Sequence, residues 1–488
     1  MWFMLVRSSA AVLAALTLVA CASLQERAGA PEPDPTPALW SAYALSGEAT
    51  QLAGWWGRFG DPALAPLIEQ ALLSQTDIAT AQARLRQARA QRSLAAGGLA
   101  PRLGAGGSAR AGLSEGRDST ESYGASLDAS WEVDLWGAGA AGVRAADATL
   151  RASELTLAHT RVLIAAEVAT TLLELRGTQA REAIARRVLA SQQQTLQIAQ
   201  WRLDAGLVTS LDVAQARTGV EQTRASLPGL TGSALQSMNA LAVLTGRAPG
   251  ALQAGLSTPV ALPAAPADLA LSIPAEVLRQ RPDVQAAERR WAAAAERVGE
   301  ADAARLPSLS LGGSVGLSAL SLGALGSGAG VASLLASVSV PVLDGSRTRA
   351  QVRLQEAARD EAGAAWRATV LAALQEVEDA LVSLRSARER LVAEQAAVEA
   401  ARTAATLAEQ RWRSGLVDFA NVLQTQRTQL SAEDGLASTN TTLATAHVRL
   451  IKALGGGWSS APTDSATNGA TNGAPNSAPN SATEKSTR

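Results

Sequence analysis

The sequence predicts a mixed α+β membrane protein. Four strands per chain join those of two further copies in a barrel of twelve, continuous with a long α-helical coiled-coil barrel. Three observations lead there. The chain between its two ends is an internal duplication. Each copy holds a pair of segments in which apolar and polar residues alternate. Each pair is followed by a very long helical stretch, yet nothing after residue 21 reaches the ~18 consecutive apolar residues of a membrane-spanning helix.

The N-terminus comes first. Arg7 supplies a short positive region, and the apolar run over residues 10–20 is too short to cross a bilayer as a helix, which needs ~20 residues. It reads as a signal peptide over 1–20. Leu18-Val19-Ala20-Cys21 resembles a lipobox, so Cys21, the only cysteine of the chain, is the expected site of a diacylglycerol and an N-acyl chain (palmitate among them). Ala22 and Ser23 lack the aspartate that retains such proteins at the inner membrane, so the rule for lipoproteins sends this one to the outer membrane. A proline-rich tether over 21–50 follows, and residues 458–488 are uncharged low-complexity sequence for most of their length, read as a disordered tail.

The duplication fixes what lies between. Asp77 and Asp283 head similar helical segments, and Pro101 matches Pro307, both 206 residues apart. Gly137 matches Gly345 at 208, and Arg202 to Val208 matches Arg411 to Val417 at 209. An offset that drifts so little marks a first repeat over 51–250, a linker over 251–273 and a second repeat over 274–457. Each repeat reads helix, strand, strand, very long helix, glycine turn, helix.

Strands are expected over 102–113, 123–135, 308–319 and 333–343. In the second, Tyr123, Ala125, Leu127, Ala129, Trp131 and Val133 alternate with Ser126, Asp128, Ser130 and Glu132. One face is thus apolar and the other polar, at a length suited to spanning a membrane, ~9–11 residues. A soluble sandwich alternates in the same way, but would not interrupt its strands with such helices. Four strands cannot close a barrel, and an open edge is not tolerated in lipid, so several chains must contribute. The helices over 144–202 and 349–413 would each be roughly 90–100 Å long. In the second, Leu374, Val377, Leu381, Leu384 and Leu391 form one seam, with Ala373, Ala380 and Ala387 on a neighbouring stripe. Two seams suit a ring in which every helix has a neighbour on both sides.

Catalytic and nucleic-acid classes find no support. Net charge is −1, which offers no basic footprint. His159 and His447 each lie alone in a helical segment, where a packed or solvated histidine is the ordinary case. The glycines over 104–107 and 323–330 lack a phosphate-loop lysine, and Asn440-Thr441-Thr442 is a sequon without meaning in a helical bacterial segment. No cofactor and no metal site is expected.

Trp55-Trp56-Gly57-Arg58-Phe59-Gly60-Asp61-Pro62, with Leu64, Leu67 and Ile68 behind it, resembles the opening of the NodT-type outer-membrane efflux lipoproteins. Arg281-Pro282-Asp283-Val284-Gln285-Ala286-Ala287-Glu288 is similar to the start of that family's second repeat. The glycine turns match as well, and the resemblance covers about residues 21–457. It implies a TolC-like homotrimer: a twelve-stranded outer-membrane barrel above a helical periplasmic tunnel. That tunnel docks onto a periplasmic adaptor (membrane fusion) protein and an inner-membrane pump, commonly of the resistance-nodulation-division (RND) class. The implied activity is passive conduction of drugs, metals or other small molecules. The adaptor would meet Gly206, Leu207 and Val208 of the first tip and Gly415 and Leu416 of the second.

The resemblance also marks an aperture. Positions matching its narrowest point are Ala420, Asn421 and Gln424, none acidic. Val417 replaces a locking arginine, Asp212 is kept, and Trp412 stands for a gating tyrosine. From these, the Trp412 indole N–H is expected to donate to Asp212 as a latch between helices. Two rival readings remain. A periplasmic adaptor would carry a single hairpin between lipoyl-like segments, and a type I secretion duct would share the whole architecture.

Overall fold

The computed structural model describes residues 54–114, 117–263 and 278–456. The signal peptide, Cys21, the tether, part of the linker and the tail lie outside the described residues.

A 3-10 turn, Trp55–Phe59, opens the described chain. Helices α1 (Leu64–Ser74) and α2 (Thr76–Gly97) lead to strands β1 (Arg102–Ser114) and β2 (Arg117–Val133). Helix α3 (Ala138–Asp204) turns at Gly206 into α4 (Ser210–Leu244), and a short α5 (Gln253–Leu256) follows. The second copy gives α6 (Pro282–Ala303), β3 (Ser308–Ala319), β4 (Ala329–Ser339), α7 (Arg347–Arg413) and α8 (Phe419–Ala453). The quasi-repeat is close: α2 and α6 have 22 residues each, α3 and α7 have 67, α4 and α8 have 35. At ~1.5 Å per residue α3 and α7 are about 100 Å long. No helix among the described residues is long and apolar enough to cross a membrane.

Both copies close on themselves in the same way. Ser74 Oγ donates to Thr245 O at 2.8 Å, tying the end of α1, just before α2, to the end of α4. In the second copy Arg281 Nη1 donates to Ala453 O at 2.8 Å, tying the start of α6 to the end of α8. Arg281 also pairs with Asp283 at 2.7 Å and Glu376 at 2.9 Å. The Trp-Trp-Gly-Arg-Phe turn plugs Trp55 and Phe59 into the main core, edge to face at 5.8 Å, among Ile68, Leu172, Leu175, Leu241 and Val448. Behind it Asp61 forms an ion pair with Arg176 at 2.9 Å, both side chains almost fully buried. Arg176 also donates to Gln179 Oε1 and Thr258 O, and Gln179 donates to Leu256 O. The first copy, the linker and α3 are thereby joined at one point.

Several boundaries differ from expectation. β2 starts earlier, at Arg117, and stops at Val133. β4 runs Ala329–Ser339 rather than 333–343, because Pro341 has no N–H and restricts Val340 before it. At the start of the long helices the structural counterpart of Gly137 is Ser346, not Gly345: both are N-caps in the left-handed region, at φ 75° and 69°. The two stripes of α7 are not separate seams in the region that meets α8. Val377, Ala380, Leu381 and Leu384 bury together against Ala446, Leu450 and Leu454, because alanine and leucine positions there share one broad face. A different stripe of α7, with Leu371, Val382, Val392 and Leu407, stays exposed.

Candidate functional site

Two regions carry the functional geometry: the turns at the far ends of the long helices, and the sheet. At the tips the backbone solves the same problem twice. Gly206 at φ 70° and Gly415 at φ 72° take the left-handed conformation that ends α3 and α7. The following N–H groups reach back, Leu207 N to Arg202 O at 2.8 Å and Leu416 N to Arg411 O at 2.9 Å, forming Schellman motifs. These turns leave Leu207 and Leu416 projecting, 72% and 74% exposed. Val208 and Val417 are half-buried beside them.

The expected Trp412–Asp212 latch is not formed. Asp212 caps its own helix: its carboxylate accepts from Thr209 N at 2.8 Å and Thr209 Oγ at 2.7 Å, while Thr209 Oγ accepts from Asp212 N. A capping box of this kind satisfies orphan donors locally and holds the carboxylate on its own helix through Oδ2. Trp412 is buried instead, its ring 4.9 Å from that of Phe419, in a cluster with Ala199, Ala216, Val422 and Leu423. The link between the two hairpins is made by Arg202. Its guanidinium donates to Trp412 O at 3.1 Å and Arg413 O at 2.9 Å and lies 4.2 Å over the Trp412 ring. A cation at the carbonyl end of α7 also complements that helix's dipole. Ala420, Asn421 and Gln424 lie exposed on the first turns of α8, whereas Val417 packs against the Trp412 cluster.

Higher up, Glu433 of α8 is a second joint between copies. Almost fully buried, it accepts from Arg402 of α7 at 2.7 Å, from Gln429 at 3.2 Å and from Arg187 of α3. Burial alone would raise its pKa, but the hydrogen bonds from Arg402 and Gln429 and the charge of Arg187 outweigh that and hold it below the usual range.

The sheet is antiparallel throughout, in the order β1-β2-β3-β4. Its registers align the alternation into an apolar set of rows and a largely polar set, the polar set interrupted on β4 by Val331 and Leu335. Leu127 faces Val315, Trp131 faces Leu311 and Leu309 faces Val338 on one side. Ser126 faces Gly316, Asp128 faces Ser314 and Ser310 faces Ser337 on the other. Serine hydroxyls pair across the polar face, Ser310 with Ser337 and Ser314 with Ser333, each at 2.7 Å. The apolar face stays bare, with Leu334 88% and Val338 70% exposed. Its aromatic residues stand at the ends. Trp131 Nε1 donates to Leu99 O at 2.9 Å and Trp136 Nε1 to Pro307 O at 2.7 Å, where strands meet helices. Tyr123 Oη donates to Glu121 at 3.3 Å, toward the hairpin tip. Among the described residues no group of His, Cys, Asp and Glu could hold a metal ion.

A bare apolar strand face, framed by aromatic residues and mounted on paired helices about 100 Å long, defines a membrane-embedded duct. The chain belongs to the outer membrane efflux protein family, whose model matches residues 67–247 and 273–456. It is 32% identical to the pyoverdine export outer membrane protein OpmQ of Pseudomonas aeruginosa, over 87% of this chain and 92% of that one. Against the outer membrane protein OprJ of the same organism it is 33% identical, over 92% and 95%. The solved outer-membrane channel OprN superposes with a TM-score of 0.81 at 36% identity, covering 87% of this chain and 97% of that one. The protein is an outer-membrane exit duct of an efflux system, extending into the periplasm.

Proposed function

We propose that three copies close the sheet into one barrel and that the duct conducts passively, with no catalysis of its own. The free edges of β1 and β4 carry this reading. Each exposes a row of backbone N–H and C=O groups beside an apolar face, which only pairing with another copy satisfies in lipid. The exposed stripe of Leu371, Val382, Val392 and Leu407 on α7 gives the helical part a matching surface for a neighbour. Cys21 carries the diacyl and N-acyl lipid as a second anchor.

Solute reaches the duct from an inner-membrane pump, of the RND class, through a periplasmic adaptor. The adaptor meets the tips, where Leu207 and Leu416 are apolar knobs held out on rigid Schellman turns. The latch of Arg202 on α7 keeps the two hairpins together and the aperture narrow. Pyoverdine export, toluene efflux and antibiotic efflux are named for relatives of this chain, so the cargo follows the pump rather than the duct. The test is efflux in a deletion strain complemented with Leu207→Glu or Leu416→Glu. Efflux should be lost while the amount of assembled barrel is unchanged. Normal efflux in both variants would put the adaptor elsewhere.

A further inference from the structure

The two hairpins of the sheet end differently. Between Arg305 and Asp344 the chain has no charged residue, whereas the first hairpin carries eight between Arg102 and Glu132, among them Glu115, Arg117, Asp118 and Glu121 around its tip. The connection from β3 to β4 contains a 3-10 turn, Leu322–Ser327, and beside it Leu320 and Leu322 are 79% and 68% exposed. Two such leucines in water at the end of a hairpin would be unfavourable.

Register sets the height of this tip. Ala319, the last residue of β3, pairs with Tyr123, and Ser318 pairs with Ala329 near the start of β4. β2 continues past that level to Arg117, so the first hairpin stands clear above the second. Tyr123 is also where the apolar row ends on β2. Its hydroxyl points on toward Glu121, away from the apolar band, as an interfacial tyrosine does. At the other end the indole N–H groups of Trp131 and Trp136 point to backbone carbonyls at the strand–helix junctions. From Val133 to Tyr123 the apolar row is roughly 33 Å along the strand, and a tilt of ~40° brings it to about 25 Å, the height of the lipid-facing band of outer-membrane barrels. The strands of the second hairpin therefore end at the upper rim of that band, six residues below the level that β2 reaches at Arg117.

We propose that the β3–β4 tip is a lipid wedge: Leu320 and Leu322 rest among the acyl chains of the outer leaflet, just beneath the headgroups, while the β1–β2 hairpin stands in water. This rests on the reading of the sheet as a barrel wall. Continuity names the occupant, since the tip lies directly beyond Leu317 and Ala319 of the lipid-facing row. The turn satisfies part of its backbone internally, Ala324 N donating to Ser321 O at 3.2 Å and Gly328 N to Leu325 O at 3.4 Å. Its remaining polar groups stay at the headgroup level, where water reaches them, while the two leucine side chains dip below.

An environment-sensitive fluorescent amino acid placed singly at Leu322, Leu317 and Glu121 tests this in the full-length protein reconstituted in phospholipid vesicles. Lipids bearing a nitroxide near the headgroup and aqueous iodide serve as quenchers. Lipid quenching at Leu322 should be comparable with that at Leu317 and several-fold above that at Glu121, with the reverse order for iodide. If Leu317 is quenched by lipid but Leu322 only by iodide, the wedge is wrong and the barrel stands. If Leu317 also ignores the lipid quencher, the barrel wall itself is misplaced and the wedge falls with it.

Discussion

Arg202 meets the end of α7 with three contacts at once, two to backbone carbonyls and one to the Trp412 ring. Hydrogen bonds from a charged donor contribute ~1.5–3 kcal/mol when buried, and this one is partly open to water, so about 1.5 kcal/mol for the group is a fair figure. Arg202→Met should therefore shift the closed-to-open ratio roughly tenfold toward open. Single-channel recording in planar bilayers would see longer open periods, and an unchanged open probability would remove Arg202 from the latch. No sequence pattern identifies this residue, because its partners are main-chain carbonyls of a helix in the other copy. Trp412 was legible as a tip residue but not as a buried one, since its burial depends on Phe419 and Ala216 across the turns. Glu433 gives a second test. Its carboxylate ionises below the usual range in the folded protein, so the stability it adds is complete above the ordinary glutamate range and is lost as pH falls through its lowered value. Thermal unfolding of the solubilised protein should fall off at acidic pH more steeply for the native chain than for Glu433→Gln. Parallel curves would show that its charge does not contribute.

The long elements were the readable ones. The glycine turns at Gly206 and Gly415, a very long helix in each copy and the alternation of the strands follow from local rules that the sequence displays directly, although α3 starts at Ala138, before the expected 144, and so equals α7 in length. The ends of the strands did not, because pairing extended β2 up to Arg117 and Pro341 cut β4 short. The stripes of α7 misled for another reason: periodicity gives the faces of a helix but not which neighbour covers each. At the tip, the first turns of α8 expose Ala420, Asn421 and Gln424, and Asp212 is occupied by its cap. An aperture lined by neutral side chains should bind a trivalent cobalt complex weakly, since closely spaced carboxylates are what would hold such a cation. Block from the periplasmic side should be strengthened by Gln424→Asp and nearly unaffected by Asp212→Asn. Tight block of the native duct would mean that carboxylates from another stretch line the constriction.

Across the whole molecule, one arrangement makes the parts consistent. A four-stranded sheet with one bare apolar face and two unpaired edges is unstable alone in lipid, and exposed stripes on the long helices ask for neighbours as well. Three chains supply twelve strands, a number that closes a barrel wide enough to leave a passage, where four cannot close and eight would enclose an interior just wide enough for side chains to fill. The same closure gives the polar rows of serine and glycine an aqueous interior to face. The lipid anchor proposed at Cys21 would be independent of the barrel, so assembly should survive Cys21→Ser. Native mass spectrometry of the detergent-extracted protein tests this assembly most directly: three copies of the chain in one complex is the expected result, and a stable folded monomer would contradict it.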